Sequence, residues 1–109
     1  MRYKLYLDDI RVPVHVGSGF KDTPGWLMAR TYDEAVNLVQ LHGCPIYISF
    51  DHDLGDENAK TGYDFAKWLV DQDLTYNIIP GDFEFNVHSA NPVGAANITN
   101  LLDAYLKSR

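Results

Sequence analysis

The stretch Ile46-Tyr47-Ile48-Ser49-Phe50-Asp51-His52-Asp53 decides how this chain folds. Its first five residues are the most continuous apolar run in the sequence, as expected for a central strand covered on both faces of a parallel sheet. The run then ends in two carboxylates. A second segment repeats the pattern, with Leu5-Tyr6-Leu7 running into Asp8-Asp9. Acids placed directly after β-like segments suit the carboxyl edge of a parallel sheet, where open α/β folds hold their ligands. Four neighbouring carboxylates repel one another unless protons or a cation compensate. A hard divalent metal with oxygen ligands is the simplest compensation, and Mg²⁺ commonly brings a phosphate with it.

Outward from these two segments the periodicity alternates. Residues 3–8 read as the first strand and Trp26-Leu27-Met28-Ala29-Arg30 as the second. Between them, Pro13, Gly17, Gly19, Pro24 and Gly25 break any helical stripe, so 11–25 reads as a long loop, and loops of that length are often functional. Thr31-Tyr32-Asp33-Glu34 matches a capping box, Ala35, Leu38 and Val39 follow at helical spacing, and Gly43 and Pro45 stop the helix. After the central strand, 54–60 is polar loop. Thr61-Gly62 opens a helix with Phe65, Trp68 and Leu69 on its apolar stripe. Phe83, Phe85 and Val87 alternate with Glu84, Asn86 and His88, the mark of a half-buried strand. Asn91 and Pro92 supply a cap and a first-turn proline for a last helix striped by Ile98, Leu101, Leu102, Tyr105 and Leu106.

Strands alternating with helices call for a mostly parallel sheet with right-handed crossovers. The third strand is nearly all apolar and belongs inside; the fourth alternates and belongs at an edge. A four-strand order of 2-1-3-4 satisfies both and is the flavodoxin-like winding. In that order strands 1 and 3 are neighbours, so Asp8, Asp9, Asp51 and Asp53 meet in one crevice at the topological switch point. Ser89 and Asn91, after strand 4, flank it.

A chain of 109 residues allows one modest core, so a single domain over 1–109 is expected. Hydrophobic residues at 46% and charged residues at 22% are those of an ordinary globule. The net charge of −6, from 9 basic and 15 acidic side chains, argues against broad, non-specific nucleic-acid binding, which needs a positive footprint. A short nucleotide or an RNA end held through a metal remains compatible. Cys44 stands alone, which excludes an internal disulfide framework and fits a reducing compartment. No apolar stretch reaches membrane-spanning length and Met1-Arg2-Tyr3-Lys4 lacks a signal-peptide core, so a cytoplasmic protein is expected.

An acidic pair after strand 1, an Asp after strand 3 and a hydroxyl residue after strand 4 resemble response-regulator receiver domains. In that family the acidic pair helps bind Mg²⁺, the strand-3 Asp accepts phosphate and the hydroxyl contacts the phosphoryl group. By motif these roles would fall to Asp8 and Asp9, to Asp51, and to Ser89. The longer wording is similar to a receiver-like offshoot proposed to process cyclic phosphates and associated with RNA metabolism. It is carried by Leu7-Asp8-Asp9-Ile10-Arg11, by Ser49-Phe50-Asp51-His52-Asp53-Leu54-Gly55 and by His88-Ser89-Ala90-Asn91-Pro92-Val93-Gly94. The resemblance spans nearly the whole chain and implies a receiver-like fold, truncated relative to a full receiver. Ordinary receivers continue to a fifth strand with a phosphoryl-contacting lysine that has no counterpart here, which demotes phosphorelay signalling.

These residues point first to a metal-dependent phosphoesterase acting on a cyclic phosphate in a small nucleotide or at an RNA end. Asp8, Asp9 and Asp51 would hold Mg²⁺ or Mn²⁺ as cofactor. Asp53 or His88 would manage protons, since a His suits phosphoester chemistry near neutral pH. Arg11, Ser89 and Asn91, with the helix start behind them, would bind phosphate oxygens; Asn91 is also the helix cap. Asp51 as a covalent nucleophile is an open variant. Two other readings stand beside this one. One is a non-catalytic acidic interaction module that modulates a larger protein partner; the other is a degenerate phosphorelay receiver.

Overall fold

The structure is a computed structural model that describes residues 2–9, 25–55 and 57–109. All of the expected 11–25 loop except Gly25, Arg11 included, lies outside the described residues. Four strands, β1 (Lys4–Leu7), β2 (Trp26–Ala29), β3 (Tyr47–Phe50) and β4 (Glu84–Val87), form one parallel sheet in the order β2-β1-β3-β4. The helices are α1 (Tyr32–His42), α2 (Gly62–Tyr76) and α3 (Pro92–Ser108). The expected receiver-like α/β winding is therefore the observed one, with β1 and β3 adjacent and parallel.

Each helix begins where its side chains can satisfy the orphan amides of a first turn. Thr31 Oγ1 accepts from Glu34 N at 3.1 Å to open α1, and Gly43, at φ +85°, closes it by donating to Val39 O. The start of α2 is a complete capping box: Thr61 Oγ1 accepts from Asp64 N while Asp64 Oδ2 accepts from Thr61 N at 2.8 Å. Asn91 Oδ1 accepts from Gly94 N at 3.0 Å to open α3, with Pro92 in the first turn, where its missing N–H costs nothing.

The crossovers β2-α1-β3 and β3-α2-β4 step across the sheet in the same direction, so a right-handed path puts both helices on one face. On that face Leu5, Leu7, Ala29, Ile48 and Phe50 are buried in one cluster with Phe65 and Leu69 of α2 and Ile98 and Leu102 of α3. Phe50 anchors the cluster, its ring 6.1 Å from both Phe65 and Phe85. Burying such a side chain contributes about 1.5–3 kcal/mol. The other face carries Tyr6, Trp26, Tyr47 and Ser49. Trp26 meets both Tyr6 and Tyr47 edge-on at 6.1 Å.

One buried charge holds the amino-terminal side of the sheet, and its place on α2 has a simple origin. Asp73 lies four residues beyond Leu69, on the stripe that faces the core, so it is carried inward with the apolar residues. There its Oδ2 accepts from Tyr105 Oη at 2.6 Å and Arg109 Nη1 at 2.8 Å, and its Oδ1 from Ile79 N at 2.8 Å. Arg109 Nη2 also reaches the carbonyls of Ile79 and Pro80. Burial pushes the Asp73 carboxyl up, but Tyr105, the Ile79 amide and Arg109 together outweigh it and hold the group below its ordinary value. The network ties α2, α3 and the approach to β4 together.

Two expectations follow. A carboxyl with a depressed folded-state pKa contributes stability above its unfolded value near 3.9 and loses it as pH falls through the folded value. Asp73→Asn should therefore lose roughly 3 kcal/mol at neutral pH, and its unfolding free energy should depend less on pH below about 4 than that of the parent. Urea denaturation across that range measures both. The second concerns Gly62, which donates its amide to His52 O at 2.8 Å and brings α2 against the backbone of Asp51. A Cβ there would overlap the Asp51 carbonyl oxygen. Because backbone cannot swing aside as a side chain can, Gly62→Ala should cost roughly 2–3 kcal/mol by the same measurement.

Candidate functional site

The hydrogen-bond ladder runs one residue past the strands at their carboxyl ends. Asp8 N donates to Ala29 O at 3.1 Å, Asp51 N to Leu7 O at 2.8 Å and His88 N to Phe50 O at 2.9 Å. Asp8, Asp51 and His88 therefore form one row across β1, β3 and β4. Side chains alternate along a strand, so this row points to the same face as Tyr6, Ser49 and Asn86. The two carboxylates are buried, Asp8 at 0% and Asp51 at 6% exposure.

One ligand atom each from Asp8, Asp51 and His88 lies within 4.8 Å of the others. His88 Nε2 is 2.9 Å from Asp8 Oδ2. Its Nδ1 is 2.7 Å from Ser49 Oγ, and its ring stacks on Tyr6 with centroids 4.7 Å apart and planes 6° from parallel. Asp51 Oδ1 accepts from His52 N at 2.8 Å. Adjacent ligands of an octahedral ion with bonds of about 2.1 Å stand about 3 Å apart. The His88–Asp8 separation matches that spacing, so an ion could take the place of the hydrogen bond between them without rearranging the backbone. Two carboxylates and an imidazole are a chemically suitable set for a divalent cation.

The other candidate residues fall around this group. Asp9 follows Asp8 at the same sheet edge, half-buried and outside the three-residue cluster. Asp53 turns away from the row. The strand ends at Phe50, and the exposed Asp53 carboxylate, at 62%, pairs with His52 Nδ1 at 2.9 Å. Ser89 Oγ accepts from Asn91 N at 3.0 Å, and Asn91 caps α3, so both residues shape the turn that leads out of β4. Arg11 lies outside the described residues. The position after Ala29, next to Asp8 along the ladder, is held by Arg30, a half-buried cation that the motifs did not single out. Its only sequence signal was its place as the last residue of the second expected strand.

His52 and Gly94 form a joint that sequence reasoning also missed. The space in which a Cβ of Gly94 would sit is filled by the His52 imidazole. The absent side chain thus lets the loop after β3 pack against the first turn of α3, setting the distance between Asp51 and the start of that helix. Ser49 is a further omission. It is the one small polar residue in the apolar run that decides the fold, and that exception was the available signal.

The fold recurs in a solved structure described as a trimeric coiled-coil segment of yeast Spc42 fused to another structure. The match has a TM-score of 0.57 at 16% identity, over 98% of this chain and 80% of the other, and that likeness speaks for the fold alone. No curated protein matches the chain. A family model described as the cyclic-phosphate processing receiver domain matches residues 3–104, which take in β1 through most of α3 and every described residue of the Asp8, Asp51 and His88 row. The chain belongs to the cyclic-phosphate processing receiver domain family.

Proposed function

We propose that this domain is a metal-dependent phosphoesterase acting on cyclic phosphates of nucleotides or RNA ends. The observation that carries the proposal is the cluster of buried Asp8 and Asp51 with half-buried His88 at the carboxyl edge of the sheet. It stands at the switch point between β1 and β3, where ligands bind in open α/β folds. Membership in a family described by cyclic-phosphate processing supports a phosphate-containing substrate. Among the described residues no helix is long and apolar enough to cross a membrane.

Asp8, Asp51 and His88 would hold Mg²⁺ or Mn²⁺, with Asp9 beside them at the same edge. The ion, when bound, supplies charge neutralisation at phosphate oxygens and water of lowered pKa. An imidazole among carboxylates shifts preference from Mg²⁺ toward Mn²⁺, because nitrogen ligands favour transition metals over Mg²⁺. Ligation by His88 Nε2 would occupy that nitrogen, and Asp53, turned away and paired with His52, is not placed to carry a proton in its stead. Ser89 uses its oxygen to accept from the Asn91 amide, and its own hydroxyl proton can be directed to a non-bridging phosphate oxygen. The first turn of α3 adds a favourable dipole, although capping by Asn91 already takes up the amides of Gly94 and Ala95.

A cation that binds only the folded state raises its stability by mass action. Millimolar Mn²⁺ should therefore raise the melting temperature, and by more than equal Mg²⁺. Asp8→Asn should abolish most of the rise. Turnover is tested with Mn²⁺ against 2′,3′-cyclic and 3′,5′-cyclic nucleotides and RNA with a cyclic phosphate end. Asp51→Asn should lower any turnover at least ~100-fold, since outer-shell partners alone are worth 10–100-fold. A metal-induced rise in melting temperature with no turnover on any of these substrates would transfer the site to the interaction-module reading. Identical melting with and without either ion would remove the metal altogether.

A further inference from the structure

We infer that Ser49 is the positioning residue for His88, and that a hydroxyl is needed there because it can both give and receive a hydrogen bond. The inference rests on the reading of Asp8, Asp51 and His88 as a metal site, and it concerns how that site is kept in register. His88 sits at the edge strand β4, held on three sides. Its ring lies flat on Tyr6, its Nδ1 is 2.7 Å from Ser49 Oγ, and its Nε2 is 2.9 Å from Asp8 Oδ2.

An ionised carboxylate can only accept, so the contact with Asp8 places a proton on Nε2. In the neutral imidazole Nδ1 is then an acceptor, and the Ser49 hydroxyl must donate to it. A cation at the cluster reverses this requirement. Nε2 must then be unprotonated to serve as a ligand, so the ring proton belongs on Nδ1 and Ser49 Oγ must accept. In this exchange one proton leaves Nε2 to solvent, one from solvent arrives at Nδ1, and the hydroxyl turns about its Cβ–Oγ bond.

Alanine can do neither of these things, and an amide would have to flip end for end. Serine does both in place. Its position also explains a polar residue inside an apolar strand. Ser49 on β3 and His88 on β4 are offset by two ladder positions on one face, so the ring folds back along the sheet to reach the hydroxyl. A cavity of about 260 Å³ lined by Lys4, Trp26, Tyr47, Ser49 and Asn86 lies beside the hydroxyl, leaving room for it to turn.

The test uses the full chain and the variants Ser49→Ala and Ser49→Thr, the second keeping the hydroxyl and placing its extra methyl toward the cavity. In metal-free protein labelled with ¹⁵N at histidine, ring nitrogen–proton correlations should show His88 protonated at Nε2. Saturating Mg²⁺ should move the proton to Nδ1. In Ser49→Ala the metal-free ring should keep its proton on Nε2 through Asp8, while Mn²⁺ affinity measured by calorimetry should fall about 10–100-fold. Ser49→Thr should restore the affinity. A proton on His88 Nδ1 in the metal-free parent would overturn the inference whether or not any ion binds. So would Mn²⁺ affinity unchanged in Ser49→Ala but lost in Asp8→Asn. Mn²⁺ binding indifferent to Asp8→Asn would instead overturn the metal reading of the cluster, and the Nδ1-protonated state with it.

Discussion

The hydrogen bond from Asp51 N to Leu7 O, at 2.8 Å, marks the constraint on which the rest depends: β1 and β3 are parallel neighbours in a fixed register. Register in a sheet fixes which face every side chain takes, and a slip of one residue would invert them all. With Leu7 opposite Phe50, both point into the helical layer, and the next residues on that ladder row, Asp8 and Asp51, turn together to the other face. Apolar burial thus brings two carboxylates side by side. The energy comes from Leu5, Leu7, Ile48 and Phe50 in the core; the functional geometry is a by-product of where those residues must go.

Two small residues hold the site against the helices. Gly62 lets the start of α2 lie on the Asp51 backbone, and Gly94 lets α3 lie on the His52 ring. Between them they fix the loop after β3 from both sides, so the carboxylate and the first turn of α3 keep a set separation. At the opposite end of α2, Asp73 gathers Tyr105, Arg109 and the Ile79 amide. The molecule therefore has a polar cluster toward each end of its sheet. The one around Asp73 is satisfied by donors from the chain itself. The one around Asp8 and Asp51 brings two acids to the His88 ring, which Ser49 also holds, an arrangement that suits a cation.

The alternation of apolar runs with helical stripes was enough to read the strand order, because right-handed crossovers and one nearly all-apolar strand leave few arrangements. Thr31, Thr61 and Asn91 announced their helices, since capping is local and depends on residues only three apart. Acids at the ends of β1 and β3 were likewise legible as neighbours once the order was known. By itself the sequence therefore determined the winding, the helix starts and the edge at which a site would stand.

Tertiary structure alone decided which of the candidates come together. Asp53 is two residues from Asp51, and continued strand geometry would align them, but β3 ends at Phe50 and Asp53 pairs with His52 instead. His88 could have faced solvent; the ring of Tyr6 and the hydroxyl of Ser49 turn it toward Asp8. Asp73 drew no reading from the sequence, and the burial of its stripe makes it a hub. In each case the deciding contact joins residues far apart in the chain, or depends on where a strand stops. Local pattern carries the period of a helix or strand, whereas the direction of a side chain at an element's end is set by what packs against it.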